Sequence, residues 1–392
     1  VGQASSSLRG RAAIVGVADA ASPTGALGKS VQRLEMEMIH EALEDAGLRL
    51  SDVDGVFCTG SSVELAQNLG IQPRYTDSTS TGGSSYEIHV EHAAAAIALG
   101  LCDVAVTVYA STPNARRAAS RPGQRPPPAP MESGPRATWE APYGLRLPMG
   151  AYALAASRHM ALYGTTSEQL AQIAVSTRQW ASMNPRARYQ TPISVQDVLD
   201  SPWVCEPLHL FDCCLVTDGA GAVVMTSAER ARDLKKKPVY VLGAGTSHSH
   251  SMISAMPDLT TTAATVSGPK AFGMAGIKHG DVDILMSYDS FTITVLMCIE
   301  DMGFCPKGEG GRFVEDGKLG PGGSLPCNTN GGGLSYTHPG QYGMFLLVEA
   351  ARQLRGECGP RQVPDARIAV AHGSGGVLST MSTIVMGTEE TL

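Results

Sequence analysis

No apolar run in this chain approaches the roughly 20 residues that a bilayer-spanning helix needs, so no membrane segment is expected. Positive charge is not in excess. The formal net charge of −7 argues against a nucleic-acid surface. The nine cysteines lack metal-type spacing, and the adjacent pair Cys213-Cys214 suits neither a zinc knuckle nor an easy disulfide. His248 and His250 have no third ligand near them, so residues 247–251 read as an exposed loop rather than a metal site. Residues 1–10 carry no secretory hydrophobic core. Together these absences predict a reduced, cytoplasmic protein with mostly buried thiols, no metal, no nucleic acid and no membrane partner.

What is present suits a soluble enzyme. The 392 residues can bury a large core, in two similar-sized units or one duplicated domain. Among the 44 glycines, one cluster stands out at 328–340, Asn-Thr-Asn-Gly-Gly-Gly-Leu-Ser-Tyr-Thr-His-Pro-Gly. Glycine lets backbone N–H groups approach a ligand closely. Pro339 fixes the backbone just after His338. The apolar stretch 342–351 reads as a buried helix. Loop, histidine and helix start together suit stabilisation of an oxyanion.

The chain repeats itself in order. Residues 42–48 lead to Asp-Val-Asp-Gly-Val-Phe at 52–57, and residues 271–277 lead to Asp-Val-Asp-Ile-Leu-Met at 281–286. A second helix–glycine–loop–strand unit follows each copy, at 92–108 and at 348–371. Each unit reads as a helix closed by a glycine C-cap and followed by a buried strand. Alternating helices and strands predict mostly parallel sheets covered on both faces. Proline-rich 121–130 reads as an extended surface loop, and helical patterns follow at 149–163 and 167–180. Residues 218–225 read as a strand, and Lys235-Lys236-Lys237 as a solvated run or a contact for a phosphate.

Tyr288-Asp289-Ser290-Phe291-Thr292, Gly308-Glu309-Gly310-Gly311, the His338-Pro339 loop and His372-Gly373-Ser374-Gly375-Gly376 occur in the order found in the thiolase superfamily. Nearly the whole chain resembles its sterol-carrier-protein and lipid-transfer-protein branch. The resemblance implies a five-layer α/β/α/β/α sandwich of two duplicated halves. The first half would take in 10–118 and 201–235, the inserted loop region 119–200, and the second half 236–392. The inserted region either helps to cover the acyl-CoA, as the resemblance implies, or is a linker with ordinary helices.

The departures from the family pattern bear on the chemistry. A thiolase needs a nucleophilic cysteine at the start of a buried helix, where the N-terminus favours thiolate. Aligning on Gly83-Ser84-Ser85 puts Ser80 there, either as a nucleophile or as part of a small-residue helix start. His89 and His92 lie too far along that helix to serve as its base. His372 replaces the second cysteine, and Tyr288 stands where relatives carry histidine or asparagine. A retained His338, lost cysteines and new proton-transfer groups imply retro-aldol cleavage of a 3-hydroxyacyl-CoA without a covalent acyl-enzyme. A cysteine-free acyltransferase and a noncatalytic acyl-CoA-binding subunit are the alternatives. The expected catalytic set is Tyr288, His338, Tyr336, Tyr342 and His372, with either Tyr336 or Tyr342 facing the cavity. Ser80, Gly83, Asp289, Asn328, Gly332 and Gly375 form the expected substrate-binding set, with Asp289 an orienting partner. The resemblance further implies no cofactor beyond the coenzyme A thioester substrate. It implies a homodimer, and a small OB-fold, zinc-ribbon partner completing a heterotetramer. The acyl group would be a steroid side chain or an aromatic chain.

Overall fold

The structure, a computed structural model, describes residues 8–119, 135–145 and 148–392. The proline-rich segment expected to form a surface loop lies outside the described residues. The chain opens with β1 (Ala12–Ala20), α1 (Val31–Ala46), β2 (Gly55–Phe57), α2 (Ser62–Leu69), β3 (Tyr75–Asp77), α3 (Ser85–Ala98) and β4 (Val104–Ser111). The middle holds α4 (Pro113–Ala119), α5 (Pro135–Trp139), α6 (Met149–Tyr163), α7 (Ser167–Ser182), α8 (Val195–Leu199), β5 (Trp203–Cys205) and β6 (Leu208–His209). Then come β7 (Gly219–Ser227), α9 (Ala228–Ala231), β8 (Val239–His248), α10 (Ala264–Ala275), β9 (Ile284–Ser287), α11 (Thr292–Asp301) and α12 (Gly310–Phe313). The chain ends with α13 (Gly343–Arg355), β10 (Ile368–Gly375) and β11 (Thr380–Gly387).

The duplication is visible in atomic detail. Helices α1 and α10 both end on a left-handed glycine, Gly47 at φ 73° and Gly276 at φ 68°. After each comes one 3₁₀ turn and an aspartate that caps a neighbouring strand. Asp54 accepts the N–H groups of Asp103 and Val104, both at 2.8 Å, at the head of β4. Asp283 accepts those of Arg367 and Ile368, at 2.8 and 2.9 Å, at the head of β10. The repeated Asp-Val-Asp is therefore a strand-capping device, used once in each half.

The layers run α1, strands, the pair α3 and α13, strands, α10. Helices α3 and α13 pack against β4, β7 and β1 on one side and β9, β10 and β11 on the other. The five layers are as expected, but the two sheets are not separate. Strand order is β3-β2-β4-β7-β1-β8-β11-β10-β9 in one nine-stranded sheet. Among the described residues its halves are joined where Ala13 and Ile14 of β1 pair with Tyr240 and Val239 of β8. The expectation of mostly parallel pairing is corrected too. Only β3-β2, β2-β4 and β10-β9 are parallel, and the five central pairings are antiparallel. Parallel pairing needs a helical crossover. Here β10 instead turns back directly into β11, and β1 lies between β7 and β8, antiparallel to both. No helix among the described residues is long and apolar enough to cross a membrane.

Candidate active site

Parallel β9 and β10 end side by side, with His372 opposite Ser287. The chain leaving β9 places Tyr288 at this sheet end, its N–H donating to the His372 carbonyl at 2.9 Å. The Tyr288 ring then crosses the N-terminus of α3. A Cβ at Gly83 would overlap this ring, standing 2.6 Å from its Cζ. Glycine at 83 is what lets the phenol lie there. The phenol oxygen stands 3.0 Å from Nε2 of His338.

His338 is held from both sides. Its N–H donates to Thr217 Oγ1 at 2.8 Å, and the Tyr109 hydroxyl donates to the Pro339 carbonyl at 2.7 Å. The rings of Tyr288 and His338 meet edge-on at 87°, while Tyr342 stacks along His338 at 20°. Burial pushes the His338 imidazole down to about 4 and the Tyr288 phenol well above its ordinary value. Near neutral pH both rings are therefore uncharged, and one proton lies between oxygen and nitrogen. Around them, the N–H groups of Gly83 and Ser84 carry no hydrogen bond to protein among the described residues. They lie at the positive end of the α3 dipole. The arrangement can pass a proton and stabilise a nearby anion.

The glycine run works differently from expectation. Residues 332–336 form a single π turn in which the run's donors are already used. Gly332 donates to Asn330 Oδ1 at 3.0 Å, and Gly333 and Leu334 donate to the two Asp289 oxygens at 2.7 and 3.2 Å. A Cβ at Gly332 would collide with the Asp289 carboxylate. These glycines make room for a buried side chain rather than for a ligand. Asp289 is the turn's organiser, and burial raises its pKa to about 7.

Tyr336 is turned away from Tyr288. Its hydroxyl donates to Asp19, a buried carboxylate that also pairs with Arg186 at 2.9 Å and with Arg352 at 2.5 Å. Burial works to raise the Asp19 pKa, but the two arginines hold it well below the carboxylate range. Tyr342 contributes its ring to the wall, while its hydroxyl donates to Asn330 at 2.8 Å. His372 does not join the pair through its side chain. On β10, a Cβ at Gly373 would face Glu87 and Ser84 of α3, so His372 points to the opposite face. There its Nδ1 meets Thr383 at 2.8 Å, and Thr383 in turn meets Ser267 of α10. Ser80 is exposed on the loop before α3. Asn328, at φ 53°, accepts the Ser287 N–H at 2.9 Å and so fixes the end of β9. A Cβ at Gly375 would meet Ser84 and Thr81, so this glycine permits close approach of β10 to α3. His248 is tied to Thr380, and Lys236 to Glu357 and Asp45.

Two side chains here were not legible in the sequence. Cys214 is close enough to Tyr288 and Asp289 to interact with both electrostatically, but burial drives its thiol pKa far up, the reverse of a nucleophile. Glu87, one helical turn beyond Gly83, is fully buried with neither oxygen hydrogen-bonded among the described residues. A cavity of about 280 Å³ beside the His338 loop is lined by Cys214, Thr217 and Leu334, with Arg117 and Arg188 at its rim.

Residues 245–388 match the thiolase C-terminal domain-like family. The chain is 36% identical to a steroid side-chain-cleaving aldolase of Thermomonospora curvata, over 94% of this chain and 96% of that protein. It is 37% identical to a 17-hydroxy-3-oxo-4-pregnene-20-carboxyl-CoA lyase of Mycobacterium tuberculosis, over 89% and 92% of the two chains. Among solved structures it superposes on an Ltp2-ChsH2(DUF35) aldolase with a TM-score of 0.86 at 34% identity, covering 97% of this chain and 99% of that one.

Proposed function

Since this chain belongs to the thiolase superfamily, in its lipid-transfer-protein branch, we propose that it is a carbon–carbon lyase acting on a 3-hydroxyacyl-CoA. Retro-aldol cleavage yields a ketone or aldehyde and a shorter acyl-CoA, and the acyl group is a steroid side chain. The observation that carries this reading is the neutral Tyr288–His338 pair, 3.0 Å apart, lying across the N-terminus of α3. The substrate hydroxyl gives its proton to the Tyr288 oxygen as the phenol proton passes to His338 Nε2. The C3 carbonyl forms and the C2–C3 bond breaks. The electron pair moves into the thioester as an enolate, which the α3 N-terminus and the Gly83 and Ser84 N–H groups stabilise. The proton then returns through Tyr288 to C2. Tyr342 walls the pair, and Asp289, Asn328, Gly332 and Gly375 hold the loops that shape it. Tyr336, His372 and Ser80 take no part in the chemistry.

Coenzyme A enters as part of the substrate, and no resident cofactor belongs to the proposal. Arg117 and Arg188 suit its phosphates. A cysteine-based thiolase route is disfavoured, because the cysteine near Tyr288 is held as a thiol. A homodimer bound to a small OB-fold, zinc-ribbon partner is the proposed assembly, prompted by the partnered aldolase among the solved structures. Light scattering of the chain alone and with its co-expressed partner checks that assembly. Incubation with a 3-hydroxyacyl-CoA, quantifying free CoA and shorter acyl-CoA, tests the chemistry. Lyase action releases a carbonyl product without consuming free CoA. Consumption of CoA, or no turnover by the partnered chain, overturns the reading.

A further inference from the structure

A second and larger cavity, about 750 Å³, lies along α6. Its walls include Trp139, Leu145, Met149, Leu154, Met256 and Leu259, apolar residues from α5, α6 and the loop after β8. Such a volume and lining suit an apolar ligand of drug-like size. Two acidic residues, Glu140 and Glu206, interrupt the lining, and of these Glu140 is buried and Glu206 exposed. Glu140 is 3% exposed, and its Oε1 accepts the N–H and the hydroxyl of Ser254 at 3.1 and 3.0 Å. Its Oε2 has no hydrogen-bond partner among the described residues. The Arg136 guanidinium stands 3.9 Å away, with its own NH2 given to the Ser251 carbonyl at 3.0 Å. A buried carboxylate oxygen without a donor is costly, and a ligand that brings a donor relieves the cost.

The cavity and the Tyr288–His338 pair share one end of the molecule. His248, which ends β8, pairs with Thr380, at the same hairpin end as Gly375. The loop that supplies Met256 and Leu259 follows directly. On α6, Tyr152 precedes the cavity-lining Ala153, and its ring stacks at 4.4 Å on Phe291, three residues after Tyr288. One helix therefore borders both places.

Resting on the lyase reading above, we propose that this cavity holds the ring end of the acyl group, and that Glu140 selects a ring system carrying a hydroxyl there over one carrying a ketone. A carboxylate accepts hydrogen bonds and cannot donate one. A hydroxyl would satisfy Oε2, whereas a ketone oxygen would oppose it lone pair to lone pair.

The test uses the full chain and two free probes, a 3-hydroxysteroid carboxylic acid and its 3-oxo counterpart, titrated by calorimetry. Wild type is expected to favour the hydroxy acid. Glu140→Gln still accepts from Ser254 but gains an N–H donor. It should weaken hydroxy-acid binding by roughly tenfold to a hundredfold, the worth of a hydrogen bond to a charged group, and should improve binding of the oxo acid. Ser157 is exposed and lines the cavity, so Ser157→Trp fills it without disturbing the core and should weaken both probes. An unchanged hydroxy-to-oxo ratio in Glu140→Gln, or unchanged binding in Ser157→Trp, overturns the assignment. Turnover of the two matching 3-hydroxyacyl-CoA thioesters is measured alongside. Cleavage by wild type with no ratio change in Glu140→Gln discards the cavity assignment and keeps the lyase. Absence of any cleavage discards the lyase reading itself.

Discussion

Replacing Glu87 with glutamine should change how stability depends on pH. Glu87 is fully buried on α3, where the missing side chains of Gly343 and Gly373 leave room for its carboxyl. Burial lifts its pKa from the ordinary 4.5 to about 8. The unfolded chain therefore releases this proton near pH 4.5, while the folded chain keeps it until about pH 8. Between those values the folded state binds more protons, so stability falls as pH rises and levels off above 8. A gap of about 3.5 units, at ~1.4 kcal/mol per unit, corresponds to a loss on the order of 5 kcal/mol across the window. Glu87→Gln has the same shape and no charge to lose. Near pH 5 the two proteins should differ by no more than about 1–3 kcal/mol, the cost of an unpartnered amide. Toward pH 9 the variant should be the more stable by several kcal/mol. Denaturant unfolding at half-unit steps from pH 5 to 9 reads the difference, in which contributions from Asp289 and other groups cancel. Parallel curves over that range would refute the reasoning, because they would mean that Glu87 ionises alike in both states.

Tyr288→Phe keeps the ring and its packing but removes the hydroxyl, and should lower turnover by roughly a hundredfold or more with little change in thermal midpoint, measured on a verified 3-hydroxyacyl-CoA. Gly83→Ala removes no reactive atom, yet its Cβ meets the Tyr288 ring; turnover should collapse, and stability should fall by about 1–3 kcal/mol, the range for overpacking. Tyr336→Phe leaves Asp19 without one of its donors, so stability should drop by about 1–3 kcal/mol while turnover per folded molecule stays near wild type.

Much of the architecture was readable from pattern. The 149–163 helix appears with those bounds, and the duplicated Asp-Val-Asp segments fall at matching points of the two halves. Tyr288 and His338, 50 positions apart, could be brought together only through family motifs, since no spacing rule joins them. The choice between Tyr336 and Tyr342 depended on a five-residue π turn, which no local propensity announces. That turn exists because a buried aspartate from another segment claims its N–H groups. Glu87 was unreadable for a related reason. A glutamate in a helical stretch signals a solvent face unless one knows that two distant glycines open a space for it. His372 could have been assigned from strand alternation once Gly373 was known to face α3, a fact that lives in the layer order and not in the segment.

The overlap between a side chain at position 83 and the ring at 288 also constrains how this protein can change over evolutionary time. The two positions compete for one volume, so the effect of substituting either depends on what occupies the other. A single step to a larger residue at the head of α3 meets the Tyr288 ring and the Ser374 carbonyl, an occupied space. Position 288 must shrink first, and that step gives up the Tyr288–His338 hydrogen bond before anything has replaced it. While Tyr288 fills that volume, glycine at 83 is held in place by the order in which mutations must occur.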